Sequence, residues 1–502
     1  MLSPTMEASV PLASTQPQGD FRPAFATAVE SADAIRSKKI SATELLDLTL
    51  RRVDLHNPAI NAIIWQCREQ ALARARQADD MLAKGRIWGP LHGVPVTIKE
   101  AFAYQGSPNT WGLPPLKDAK SSRTAVAVER LESAGAIVIG KTNVPVMLGD
   151  WQSDNPIYGT TNNPWDISRT PGGSTGGGAA ALAAGLGCLT LGTDLSGSIR
   201  VPAHFCGVYG HKPTLELVST AGLQPGPWDG SPGPPMDLGV AGLLARSAPD
   251  LALALNAIGG PNGDDTKAWT WRMPFPRHKR LEDFRIGCVF DAAFAPVESD
   301  IGMVYENVLT ELSRAGAKIE RGWPEGIDPQ AQLTTYTYLL FAFINAGSSR
   351  ERREELRARF ESNPADLSAA AAVEPYGRWL QETQRRLGFR AIWQKYFESH
   401  DVFLFPAGFS AAFPHDRSQP IEQRVIETPE GKRPYLNTPL WTCFATLSGL
   451  PATVAPVGRT NGGLPAGVQV VAPMWEDATS IEFAALLSEI VGGFSEPPAF
   501  RK

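Results

Sequence analysis

Two glycine-rich segments carry the residues that can do chemistry. The first, Pro171-Gly-Gly-Ser174-Thr-Gly-Gly-Gly178, runs straight into the small apolar stretch Ala179-Ala-Ala-Leu-Ala-Ala-Gly185. A glycine-rich loop at a helix N-terminus aims several backbone N–H groups, and the positive end of the helix dipole, at one point. Such a loop can cradle phosphate, but that pattern requires Lys and then Ser or Thr after the last glycine, and Ala follows here. Gly172-Gly-Ser174-Thr-Gly176 also has the form of a nucleophile elbow, which needs an acid and then a histidine later in the chain. Of the seven histidines, His204 and His211 follow too closely, and His278, His400 and His415 sit in polar or irregular context. The second segment, Gly192-Thr-Asp-Leu-Ser-Gly-Ser198-Ile-Arg-Val-Pro202, sets a hydroxyl after small residues. There the N–H groups of Leu195, Ser196, Gly197 and Ser198 can turn toward one point, as a tetrahedral oxyanion requires. Asp194 and Arg200 flank the turn and can pair across it; a plain serine–glycine turn stapled by that salt bridge is the alternative reading.

These segments need a rigid frame, and the surrounding patterns supply one. Gly93-Val-Pro-Val-Thr-Ile-Lys99 is a β-branched run that reads as a buried strand ending at Lys99. Residues 124–134 read as a helix stopped by Gly135, and 136–140 as another buried strand. Continuous apolar strands joined by a helix argue for a parallel sheet covered on both faces. Upstream, Ser41-Ala-Thr-Glu44 forms a capping box for a helix lined by Leu46, Leu50 and Val53, which Asn57-Pro58 is expected to end. Further helices are expected over 68–84, 178–187, 303–315, 333–346, 349–361, 376–398 and 481–490, and strands over 402–406 and 467–471. From 156 to 242 the composition shifts to Gly, Pro, Ser and Thr, which suits an active-site scaffold better than a linker. No repeat and no clean internal boundary are visible. The expectation is a flexible tail over 1–20 and a single large α/β/α domain over 21–502. In it a mixed central sheet carries helices on both faces, and a helical segment at about 300–400 covers the substrate pocket.

Composition narrows the function classes. With 43% hydrophobic residues, 47 Gly and 42 Pro in 502 residues, the chain is neither disordered, collagenous nor coiled coil. Its net charge is −5, and the basic cluster at 350–359 is interleaved with Glu351, Glu354 and Glu355, a solvated helix face rather than a phosphate track. No nucleic-acid partner is expected. The five cysteines are widely spaced without a CxxC pair, so neither a zinc site nor a disulfide framework is expected. The N-terminus has no Lys or Arg before Arg22 and no apolar core, unlike a signal peptide. The most apolar run, 179–192, is short of the roughly 20 residues of a membrane span. A cytoplasmic enzyme with no membrane partner, monomeric or homodimeric, is the expectation.

The run from 171 to 213 resembles the signature segment of the amidase signature family of Ser-Ser-Lys hydrolases. That pattern is GGSSGG, a small-residue helix, a GTDxGGSIRxPA turn and a FCGxxGxKPT run. The chain supplies Gly172-Gly-Ser-Thr-Gly-Gly177, Gly192-Thr-Asp-Leu-Ser-Gly-Ser-Ile-Arg-Val-Pro-Ala203 and Phe205-Cys-Gly-Val-Tyr-Gly-His-Lys-Pro-Thr214. Gly140-Lys-Thr-Asn143, Ala245-Arg-Ser247 and Gly463-Leu-Pro-Ala-Gly-Val-Gln469 extend the likeness to about residues 25–490. The resemblance implies Lys99 as base, Ser174 as bridging serine on a cis Gly173–Ser174 peptide, and Ser198 as nucleophile. It also implies an oxyanion hole from Leu195 to Ser198 and a substrate-facing loop at 147–150 with Leu148 nearest. Two positions depart from it: Thr175 keeps a hydroxyl where the second Ser of GGSSGG stands, and Ser196 replaces a small Gly or Ala, tightening the pocket floor or bonding the substrate. The implied activity is hydrolysis of a small-molecule carboxamide, anilide or carbamate, with ester cleavage as a side activity and neither metal nor organic cofactor. Two rivals stand beside it: an α/β-hydrolase-type esterase using Ser174, and an ammonia-delivering subunit of a tRNA-dependent amidotransferase, where Arg200-Val-Pro stands in place of an expected Arg-Gln-Pro. Trp151, Tyr158, Trp165, Trp228, Tyr336, Tyr338, Phe341 and Phe343 can line an apolar pocket or simply fill the core.

Overall fold

An eleven-stranded mixed sheet runs through the molecule. The computed structural model describes residues 21–233 and 236–501, so the tail expected over 1–20 lies outside the described residues. Numbered along the chain, the strands are β1 (Ile63–Gln66), β2 (Pro95–Lys99), β3 (Ile137–Thr142), β4 (Leu189–Asp194), β5 (Tyr209–Lys212), β6 (Val240–Ala245), β7 (Arg285–Cys288), β8 (Lys318–Arg321), β9 (Val402–Pro406), β10 (Ala452–Arg459) and β11 (Pro465–Val471). Their spatial order is β1-β3-β2-β4-β6-β5-β10-β11-β9-β7-β8. β2 lies between β3 and β4 and runs parallel to both. From β4 to β9 every neighbour is antiparallel, and β9, β7 and β8 are parallel again.

Alternation along the strands shows that both faces are covered, because successive side chains point to opposite sides. In β3, Val138 packs in the cluster with Ala127 and Leu131 of the helix Val126–Ser133. Its neighbours Ile137 and Ile139 join Leu46 and Ala71 on the other side. In β9, Val402 and Leu404 face one cluster while Phe403 and Phe405 face an aromatic one with Trp393, Trp441 and Phe444. β2, β3 and β4 are buried along their whole lengths, which explains why they read as unbroken apolar runs.

The capping box at Ser41 and Glu44 forms as expected, but the helix Ala42–Ile60 continues past Pro58. Proline in the last turn loses a single N–H bond, and the end is secured instead by left-handed Asn61 and by Asn57 Oδ1, which accepts from the N–H groups of Ala62 and Ile63. The helix after the first glycine-rich loop is Gly176–Ala183, so its first turn is made of the loop's own glycines. The segment near 300–400 holds Ser299–Arg314, Pro329–Asn345, Arg350–Ser362 and Tyr376–Tyr396, plus a short helix Leu367–Val373 capped by Asp366. That helix, the helix Arg200–Cys206 and the hairpin Val425–Thr428/Gly431–Pro434 are too short to leave a periodic signal. No helix among the described residues is long and apolar enough to cross a membrane.

Candidate active site

Lys99 closes β2 at the middle of the parallel strands, wholly buried. Its Nζ donates to Ser174 Oγ at 2.7 Å and to Thr193 Oγ1 at 2.6 Å. Burial strips the ammonium of water and pushes it well below the usual lysine range; the carboxylate of Asp194 opposes this only in part. Thr193 is absent from the sequence candidates. Its signal lies in the strand pairing, since the parallel register of β2 with β4 brings the Gly192-Thr-Asp194 end alongside Lys99.

Ser174 sits in a loop that only glycine permits. Gly172 has φ +87°, and a Cβ on Gly173 would lie 2.4 Å from the Asp150 carbonyl. The Gly173–Ser174 peptide is cis. Ser153 Oγ donates to the Gly172 carbonyl and accepts from Gly176 N–H, clamping the loop from the 150–153 side. Thr175 joins it to the second segment: its N–H donates to the Ser198 carbonyl and its hydroxyl to the Thr193 carbonyl. Ser174 and Ser198 are thereby held in adjoining turns. Among the described residues no hydrogen bond joins their hydroxyls, and Ser198 Oγ, nearly buried, has no hydrogen-bond partner among them.

The turn from 194 to 200 is folded around Asp194. Its Oδ1 accepts from Gly197 N–H (2.9 Å) and Arg200 Nη2 (2.8 Å), and its Oδ2 from Ile199 N–H (3.0 Å) and Arg200 Nε (3.0 Å). Arg200 is held in turn by the Thr442 carbonyl, Gln469 Oε1 and Thr446 Oγ1. Burial works against ionising Asp194, but the Arg200 charge and these hydrogen bonds outweigh it and hold the carboxyl at about 2. Gly197 N–H is therefore spent on Asp194 rather than free for an oxyanion. Leu195, Ser196 and Ser198 keep N–H groups that no described residue accepts. Ser196 Oγ does not face an open floor: it accepts from Tyr336 Oη at 2.6 Å, while the Ser196 carbonyl accepts from Trp151 Nε1 at 2.9 Å.

Arg200→Met should cost about 3–5 kcal/mol in urea unfolding, because it leaves Asp194 buried and unpaired. In the native protein the Asp194 contribution is full above the unfolded carboxyl pKa near 3.8 and is lost as pH falls toward 2. An Arg200→Met protein as stable as wild type would show that the ion pair does not hold the turn.

Among the expected pocket aromatics, Trp151 and Tyr336 reach the turn. Trp165 instead bonds the Cys206 carbonyl, Trp228 the Ser231 carbonyl, and Tyr338 lies under Arg378. His204 spends its ring on Gly467 N–H and the Ser410 carbonyl, and His211 on Thr453 and Asp477, so neither serves Ser174. A cleft of about 280 Å³ is lined by Val146, Gly149, Asp150, Gln152, His415 and Arg424 among others, with neither Ser174 nor Ser198 in its wall. Leu148, at φ +57°, packs on the core cluster, while Val146, Gly149 and Asp150 line this cleft. Asp150 is tied to the hairpin region by Tyr435 and by Arg424 Nη1 at 2.7 Å.

The profile of the amidase family matches residues 44–481. An indoleacetamide hydrolase of Bradyrhizobium diazoefficiens is 33% identical over 477 residues, covering 93% of this chain and 86% of that protein. A glutamyl-tRNA(Gln) amidotransferase component from Bdellovibrio bacteriovorus is 31% identical over 495 residues, covering 92% of this chain and 96% of that protein. The solved structure of a bacterial aryl acylamidase shares the fold, with a TM-score of 0.77 at 23% identity over 93% of this chain and 96% of that one.

Proposed function

This chain belongs to the amidase family, and we propose that it hydrolyses a small carboxamide through an acyl-enzyme on Ser198, with Ser174 and Lys99 as its proton relay. The observation that carries the proposal is the Lys99 Nζ–Ser174 Oγ contact of 2.7 Å in a fully buried setting. A neutral amine there accepts the Ser174 proton as Ser174 takes the proton of Ser198. Ser198 Oγ, free of other bonds, turns to attack the amide carbon. The new oxyanion is received by the N–H groups of Ser198 and its neighbours Leu195 and Ser196. Ser174 then returns the proton to the leaving nitrogen, the C–N bond breaks, and the amine departs. Water attacks the ester with its proton drawn off along the same path, releasing the carboxylic acid and Ser198. Asp194 and Arg200 support the turn without touching the reacting atoms.

The half-buried ring of Trp151, bonded to the Ser196 carbonyl, favours a flat or apolar group next to the scissile bond. An aryl or arylalkyl amide is the favoured substrate class, in keeping with the indoleacetamide hydrolase likeness. Related carbamates and esters meet the same relay. The likeness to the amidotransferase component supports a second reading, in which ammonia released here is passed to a partner. Purified chain alone, offered p-nitroacetanilide, an arylacetamide, a long-chain primary amide and a phenyl carbamate, should release amine or ammonia, fastest from the aryl substrates. Silence toward every one of them, with glutamine consumed only when amidotransferase partners are added, would establish the second reading.

A further inference from the structure

We infer that Tyr336 is a positioning residue for the oxyanion turn, a phenol on the helical cover that holds Ser196 and, through it, the Ser196 N–H. The inference rests on the proposed acyl-enzyme and deepens it, because it names the group that keeps the oxyanion site in shape.

A peptide unit is planar and trans, so its carbonyl and its N–H point opposite ways. The Ser196 carbonyl is drawn to the Trp151 indole, and the N–H of the same unit, that of Gly197, accordingly points away, to Asp194 Oδ1. The Leu195 carbonyl lies 3.5 Å from Tyr336 Oη, so the N–H of that unit, belonging to Ser196, faces away from the helical cover. Tyr336 anchors this second unit mainly through the Ser196 hydroxyl at 2.6 Å. The turn thus has three holds: Asp194 with Arg200, the Trp151 indole and the Tyr336 phenol. Gly197, at φ +87°, is its pliable point, so the orientation of the unit before it depends on these outside holds. A glycine at 196, as the resembling pattern has, would remove the hydroxyl at 2.6 Å and leave the phenol only the Leu195 carbonyl at 3.5 Å. Tyr336 lies on the helix Pro329–Asn345 and is itself buried. Burial also pushes its phenol up, which keeps it a neutral donor at working pH. Nothing in the arrangement brings Tyr336 to the reacting atoms; it acts through Ser196.

The test uses a fluorophosphonate, whose phosphonyl oxygen occupies the oxyanion site once Ser198 is modified, together with kcat and KM for an anilide. Tyr336→Phe removes one oxygen and should slow both phosphonylation and kcat roughly 10-fold, with KM changing less than about two-fold. Ser196→Ala, approaching from the other side, should do the same. Tyr336→Phe added to Ser196→Ala should change either rate by less than about two-fold, because the latch is already gone. A wild-type protein labelled at Ser198 whose Tyr336→Phe variant is labelled at the same rate overturns the inference alone. So do losses that multiply in the double variant, or a lowered melting temperature with kcat intact. A wild-type adduct on a residue other than Ser198 overturns the acyl-enzyme reading and this inference with it.

Discussion

Ser198→Ala should lose at least ~10³-fold in kcat/KM toward an amide while folding and melting as the wild type does. On the proposed mechanism the loss is large because the attacking oxygen is gone, and what remains is binding and oxyanion stabilisation of attack by water. Folding is spared for a structural reason. Ser198 Oγ makes no hydrogen bond among the described residues, so removing it strands no buried partner, and its backbone carbonyl still accepts from Thr175. Ser174→Ala differs on this point, since it takes from Lys99 one of its two hydroxyl contacts. Mass spectrometry after fluorophosphonate treatment should find the adduct on Ser198 in the wild type and none in Ser198→Ala. Appreciable turnover by a homogeneous Ser198→Ala protein would remove Ser198 from the mechanism. An adduct on Ser174 would favour the esterase-like elbow.

Lys99→Ala should abolish most amide hydrolysis and, with it, one ionisation in the pH profile. The sign follows from the role: a base works only when neutral, so kcat/KM is full above the Lys99 pKa and falls as pH drops through it. Burial sets that pKa well below the usual 10.5 of lysine, which brings the acid limb toward neutral pH. In the variant the limb should vanish, leaving a weak, hydroxide-driven rise. Amides should suffer more than matched esters, because a leaving amine needs the returned proton and an alkoxide needs it less. Lys99→Met separates chemistry from packing, as it fills most of the buried volume without an amine. Thr193→Val removes a hydroxyl that accepts from the ammonium, so it should move the acid limb to still lower pH. A Lys99→Met enzyme with the wild-type amide profile would reduce Lys99 to a strand-end lysine.

How far these residues can be read from the chain depends on whether their signal is local. The capping box at Ser41, the unbroken strands β2 and β9, and the glycine-rich loop feeding a helix are all legible, since each is fixed by neighbours in sequence. The end of the first long helix is not where Pro58 suggests, although its cap is local too: a proline in the last turn costs only one N–H bond, and Asn57 Oδ1 accepts from Ala62 and Ile63. The Asp194–Arg200 pair is legible, both partners lying within one turn. Its three outer holds on Arg200, at Thr442, Thr446 and Gln469, are not, because they come from more than 200 residues away.

The sequence by itself therefore determined the chemistry on offer: two serines in glycine-built turns, an acid and an arginine to brace one of them, and a lysine at the end of an apolar strand. Only the tertiary structure decided which of these groups meet. The parallel register of β2 and β4 brings Lys99 alongside Thr193, the glycine-rich loop brings Ser174 to the same amine, and burial lowers its pKa well below the usual lysine range. The helical cover takes the Ser196 hydroxyl for Tyr336, and the Asp194 carboxylate takes the Gly197 N–H. Hydrogen bonds of this kind depend on direction and on a few tenths of an ångström between segments far apart in the chain. Residue type and spacing specify what a group can do, whereas its partner is settled by packing.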